Sequence, residues 1–182
     1  MEQTAKRFAP RDLTAIAACA ALMAVCAWIS IPTEPPFTLQ TLAVFLTVGL
    51  LGGRRGTIAV GVYLLMGTVG LPVFSGFTGG LGALLGATGG YIAGFLTSAL
   101  TMWAAEYLLG RRPPVLLLSM VLGLLVCYAL GTAWYMAVYA RSAGPIGLAL
   151  ALGRCVVPFL VPDLCKISIA FGLTVRLRRQ IR

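Results

Sequence analysis

Long apolar runs, separated by short clusters of glycine, proline and arginine, organise this chain from end to end. The runs lie near 13–31, 38–52, 56–70, 89–109, 115–139 and 157–175, and their hydropathy predicts membrane-spanning helices. The first opens at Leu13 behind a basic leader with Lys6, Arg7 and Arg11, and closes at Pro32. Gly52-Gly-Arg-Arg-Gly56 divides the second from the third. Arg111, Arg112, Pro113 and Pro114 divide the fourth from the fifth, and Arg176, Arg178, Arg179 and Arg182 follow the last. The pattern predicts an all-α integral membrane protein, a single membrane domain over 1–182 with six transmembrane helices.

Composition agrees. Of 182 residues, 59% are hydrophobic and only 19 carry charge, far below the roughly 25% usual in soluble domains. Histidine is absent, which excludes Ser-His-Asp and Cys-His catalysis, zinc proteolysis and histidine-ligated haem. The net charge of +9 does not indicate nucleic acid, because the basic residues collect in alternate loops. With the N-terminus inside, the leader, 54–55, 111–112 and the C-terminal cluster all fall on the inner side. The loops at 32–37 and 71–80 hold no Lys or Arg. The positive-inside rule then places both termini in the cytoplasm, with attraction to anionic lipid of the bilayer as a modest addition. The first run is as long as a full span and leads to no small-residue cleavage site, which argues against a signal peptide. Five cysteines at irregular spacing, in or beside apolar runs, read as free thiols packed as small hydrophobes, with no metal site.

The second and third runs, about 15 residues each, fall short of the roughly 20 usually needed to span. Each adjoins an irregular but apolar loop, Ile31-Pro-Thr-Glu-Pro-Pro-Phe-Thr-Leu-Gln40 or Gly70-Leu-Pro-Val-Phe-Ser-Gly-Phe-Thr-Gly-Gly80. Non-helical backbone at membrane depth is tolerated only inside protein or beside a wet cavity, so both outer loops are expected to fold over the bundle, roofing a pocket or capping a packed core. Gly86, Gly89 and Gly90 open the fourth span. They serve either close helix packing or a polar ligand received at the helix N-terminus. No Walker motif is present, so the chain is not expected to hydrolyse ATP.

The last span carries Pro162-Asp163-Leu-Cys-Lys166, a carboxylate and an ammonium on one helix face within apolar sequence. Charges at bilayer depth cost at least about 2.5–3.5 kcal/mol each and usually mark function. Replacing a buried pair by apolar residues is often neutral or stabilising, so the pair's presence favours a functional role over mere packing. Glu106 can pair with Arg111 or Arg112, and Arg154 can guard a site entrance or meet headgroups. In the first span Ala17 and Ala21, and Ala20 and Ala24, have the small-xxx-small spacing that lets another helix approach closely.

Taken together, Ile-Pro-Thr-x-x-Pro-Phe-Thr-Leu-Gln-Thr at 31–41, Gly-Leu-Leu-Gly-Gly-Arg-Arg-Gly-Thr at 49–57, Gly-Leu-Pro-Val-Phe-Ser-Gly-Phe at 70–77, Gly-x-Thr-Gly-Gly-Tyr at 86–91 and Pro-Asp-x-x-Lys at 162–166 resemble the BioY family. These are the biotin-specific S components of bacterial energy-coupling factor (ECF) transporters. The similarity runs from about residue 13 to 175, and Ala87 stands where many relatives have proline. The resemblance implies six helices in the bacterial cell membrane and a biotin pocket near the outer surface closed by the first and third loops. It also implies no enzymatic activity and no cofactor beyond biotin as transported ligand. The implied partners are a coupling transmembrane protein and two ABC-type ATPase subunits. Ligand-binding positions carried over are Asp163, Lys166, Thr88, Gly89, Gly90, Tyr91, Phe74, Thr38 and Gln40, with Arg154 next in line for the carboxylate and Phe77 as a further apolar wall. Partner docking maps to Ala17, Ala20, Ala21 and Ala24. Three other readings compete: an S component for another vitamin, a proton-coupled secondary carrier in which Asp163 or Glu106 titrates, and a membrane enzyme relying on Asp163, Lys166 or a cysteine. No internal repeat of the kind that marks secondary carriers is evident.

Overall fold

Proline and glycine set the ends of the helices. In a computed structural model that describes residues 9–33 and 35–180, α1 (Pro10–Trp28) starts with proline at its first position, and the Asp12 carboxylate accepts from the Ala9 N–H at 3.2 Å. Then follow β1 (Ser30–Ile31), β2 (Phe37–Thr38), α2 (Gln40–Leu51), α3 (Gly53–Thr68), α4 (Leu81–Leu85), α5 (Gly89–Leu109), α6 (Pro113–Ala143), α7 (Leu148–Cys155) and α8 (Val157–Gln180). Lys6, Arg7, Glu34 and Arg182, which entered the loop and charge expectations, lie outside the described residues.

Among the described residues four helices are long and apolar enough to cross a membrane: Pro10–Trp28, Gly89–Leu109, Pro113–Ala143 and Val157–Arg179. The other two expected spans are α2, of 12 residues, and α3, of 16. At 1.5 Å per residue they reach about 18 and 24 Å, less than the roughly 30 Å hydrocarbon thickness. The first apolar run stops being helical at Trp28, not near 31, because Ser30 and Ile31 pair antiparallel with Thr38 and Phe37. That hairpin also moves the start of α2 from 38 to Gln40. α4 and α7 are additions that the apolar runs did not predict.

Helices α5 and α6 form the most extensive helix pair, and α2 lies against α8, α3 and α1. The core threads between them through Met23, Phe45, Val60, Tyr63, Phe95 and Met120. Leucines point outward along the long helices, among them Leu118, Leu122 and Leu125 on α6, as a lipid-facing surface requires. Ala20 and Ala24 are buried inside this bundle, where α1 meets α2 and α3, whereas Ala17 and Ala21 face outward.

The basic connections meet at one end. Arg55 pairs with Asp12 at 2.9 Å, Arg111 pairs with Glu106 at 3.3 Å, and Arg178 donates to the Gly49 carbonyl. Of the two arginines considered for Glu106, Arg111 is therefore its partner. At the opposite end the 71–80 segment is tied to α1: the Trp28 indole N–H donates to the Pro72 carbonyl at 2.8 Å, and Trp28 stacks on Phe77. The Leu39 N–H donates to the carbonyls of Cys26 and Ile29, which holds the first hairpin on the same helix end.

Candidate functional site

Asp163 and Lys166 sit one helical turn apart on α8, below the proline at 162, and both are buried, at 3% and 5% exposure. Their charges meet at 2.8 Å. Burial of an ion pair is tolerable only when its other lone pairs and protons are satisfied, and here neighbouring helices supply the partners. Thr41 on α2 donates its hydroxyl to Asp163 Oδ1 at 3.1 Å and accepts from Lys166 Nζ at 3.2 Å. Tyr128 on α6 donates to Asp163 Oδ2 at 2.6 Å. Phe37, from the first hairpin, lays its ring 4.1 Å from the ammonium, a cation–π contact, and stacks in turn on Phe159.

This network forms part of the wall of a cavity of about 630 Å³, within the size range of small-molecule sites. Pro35, Pro36 and Thr38 reach it from the first hairpin, and Phe74, Ser75, Thr78 and Gly79 from the 71–80 segment. Thr88, Tyr91, Ile92 and Phe95 come from the start of α5, and Phe159 from α8. The walls are mainly apolar, with polar groups converging at Asp163, Lys166, Thr41 and Tyr128.

Seven of the expected ligand-binding residues line this cavity: Asp163, Lys166, Thr88, Tyr91, Phe74, Thr38 and Gln40. Gln40 is already engaged. Its side-chain oxygen accepts from Thr38 at 3.0 Å and its amide donates to the Tyr63 hydroxyl at 2.6 Å, which donates to the Val73 carbonyl. It therefore braces the 71–80 segment from beneath. Phe74 is held by the edge of Tyr63, with ring centroids 5.6 Å apart, and lies against Gly67, where a Cβ would overlap its ring.

Other expected residues stand apart from this lining. Gly89 and Gly90 do not line the cavity: a Cβ at Gly89 would overlap the Leu84 carbonyl, and one at Gly90 would strike Trp134. They serve close packing of α5. Phe77 is exposed and stacks on Trp28 instead of forming a wall. Arg154 is exposed on α7 and absent from the lining. The Tyr135 hydroxyl foremost, then that of Tyr139, engages its guanidinium and pushes its pKa up. Of the four alanines expected to dock a partner, Ala20 and Ala24 are buried, while Ala17 and Ala21 are exposed.

Thr41, Tyr128, Phe37 and Phe159 were missed. Thr41 and Phe37 fall inside the 31–41 motif, so that motif was the available signal. Tyr128 is one of several hydroxyl-bearing residues spread along a long apolar helix, and nothing in that spacing singled it out.

A chemical reading follows from the contacts. Two of the three Lys166 protons have oxygen acceptors, and the third has none among the described residues. Both Asp163 oxygens are occupied by donors. The site thus offers one positive donor beside apolar walls, suited to a ligand with an apolar body and an anionic or strongly accepting end.

Comparison with known proteins agrees in extent and kind. The model of the BioY family matches residues 1–182. The biotin transporter BioY of Thermotoga maritima is 42% identical over 153 residues, covering 83% of this chain and 77% of that protein. The probable biotin transporter BioY of Pyrococcus horikoshii is 37% identical and covers 92% and 96%. A crystal structure of the S-component for biotin from an ECF-type ABC transporter superposes with a TM-score of 0.83 at 26% identity, over 98% of this chain and 95% of that one. With a family match over the full length and relatives of this similarity, the chain is a membrane protein that belongs to the BioY family.

Proposed function

We propose that this chain is the biotin-binding S component of an ECF-type vitamin uptake transporter in a bacterial cell membrane. The observation that carries the reading is the buried Asp163–Lys166 pair in the wall of a largely apolar cavity of about 630 Å³. Biotin has an apolar bicycle, a ureido group and a valerate carboxylate. Phe74, Ile92, Phe95 and Phe159 receive the apolar body, and the unused proton of Lys166 receives the carboxylate. Pro35, Pro36, Phe74 and Ser75 belong to the two segments that shield the ligand from solvent.

The chain spans the bilayer six times with both termini cytoplasmic, α2 and α3 completing the set where protein and cavity compensate for their short length. It has no catalytic residues and no ATPase of its own. A coupling membrane protein and two ABC-type ATPase subunits supply the energy, and Ala17 and Ala21 form the contact with the coupling protein. The names of the relatives and the fold of the biotin S-component support this assignment. The test is purification in detergent followed by mass spectrometry of the small molecules that co-purify. Biotin is expected, and a different vitamin in its place overturns the substrate assignment.

A further inference from the structure

We infer that Tyr128 is a specificity-determining residue: by occupying Asp163 Oδ2 it makes the site select an acid over a neutral amide. This rests on the reading that Lys166 receives the ligand carboxylate. Oδ1 of Asp163 is filled by Lys166 and Thr41 at 2.8 and 3.1 Å, so Oδ2 is the oxygen whose condition decides what the cavity offers. The phenol of Tyr128 holds it at 2.6 Å, and Tyr128 and Asp163 both line the cavity. With its single proton directed at Asp163, the phenol has no proton left for a ligand. A ligand N–H finds Oδ2 occupied, while a ligand carboxylate finds the remaining proton of Lys166 and an aspartate whose charge is screened by three donors.

Removing the hydroxyl reverses both terms. Oδ2 becomes a bare anionic acceptor in the cavity, repelling a carboxylate and accepting from a carboxamide. A tyrosine that served only to pack α6 against α8 would, when altered, weaken acid and amide together. The ratio of the two affinities therefore separates selectivity from structure.

The experiment measures equilibrium binding of biotin and biotinamide to the full chain in nanodiscs. The proteins compared are the wild type, Tyr128→Phe, Lys166→Met, Asp163→Asn and the Asp163→Asn/Tyr128→Phe double variant, each checked for cooperative thermal unfolding. Tyr128→Phe keeps the ring in the wall, and Tyr128→Met repeats the test if the first variant does not fold. The wild type is expected to prefer the acid. Tyr128→Phe lowers the acid-to-amide ratio about tenfold or more, the scale of one hydrogen bond to a charged group, with the amide holding or gaining affinity. In the Asp163→Asn background the tyrosine change has little further effect on the ratio. A wild-type ratio retained in Tyr128→Phe, or a failure of both tyrosine variants to fold, overturns the inference. A Lys166→Met variant that discriminates as well as wild type, or a wild type that does not discriminate, sinks the underlying carboxylate reading instead, and the inference falls with it.

Discussion

Lys166→Met tests the ion pair with the least disturbance of shape, since methionine retains most of the aliphatic stem. Asp163, at 3% exposure, would then lose its 2.8 Å partner. Breaking a buried pair by removing one partner costs about 3–5 kcal/mol. The Thr41 and Tyr128 hydroxyls still donate to Asp163 at 3.1 and 2.6 Å, and the adjoining cavity admits water, so the lower end, about 3 kcal/mol, is expected. At roughly 2–4 °C per kcal/mol for a chain of this size, thermal unfolding in detergent should move down by roughly 6–12 °C. The Asp163→Asn/Lys166→Met double variant removes the stranded charge and should recover most of that loss. Biotin binding should not recover. Losing a charge-assisted hydrogen bond to the carboxylate weakens affinity by about 1.5–3 kcal/mol, roughly one to two decades, in single and double variants alike. Thermal unfolding and biotin titration on the same preparations give both quantities. Wild-type affinity in the double variant would refute the reasoning, because the carboxylate would then be held elsewhere.

Three further outcomes are expected. Ala17→Trp and Ala21→Trp, on the outward face of α1, should abolish ATP-driven uptake in vesicles holding the complete transporter while biotin binding persists; Ala20→Trp and Ala24→Trp, at 1% and 4% exposure, should instead reduce the yield of folded protein. Gly67→Ala forces a methyl group into the Phe74 ring and, at about 1–3 kcal/mol for overpacking, should destabilise the 71–80 segment and speed biotin release in a stopped-flow chase. Trp28→Phe keeps an aromatic ring against Phe77 but loses the 2.8 Å bond to Pro72; for a net cost of about 1 kcal/mol, release should quicken by roughly fivefold with little change in association.

Some of this architecture was legible in sequence for a simple reason. Charge is rare in this apolar sequence, so Gly52-Gly-Arg-Arg-Gly56 and Arg111-Arg-Pro-Pro114 mark connections, and Asp163 with Lys166 mark the face of α8 that lines the cavity. Backbone pairing between neighbours was not legible. Ser30–Ile31 and Phe37–Thr38 read as parts of apolar runs, yet the hairpin they form trims both α1 and α2. α7 was hidden because Gly144-Pro-Ile-Gly147 interrupts the hydropathy just before it. That short helix turns Arg154 toward Tyr135 and Tyr139 and away from the cavity. Small-residue spacing located contact-prone stretches of α1 without their phase, so it could not separate buried Ala20 and Ala24 from outward Ala17 and Ala21. The contacts to Thr41 and Tyr128 join residues 122 and 35 positions from Asp163, and neutral hydroxyls inside a span leave no pattern that announces such a partner.

The central claim is that the cavity walled by Asp163, Lys166, Phe74 and Tyr91 is a biotin site. Isothermal titration of ligand-depleted protein in nanodiscs with biotin, alongside other small vitamins, tests it most directly. One saturable site per chain, specific for biotin and weakened one to two decades by Lys166→Met, is the predicted result. Absence of saturable biotin binding, or equal binding of an unrelated vitamin, would contradict it.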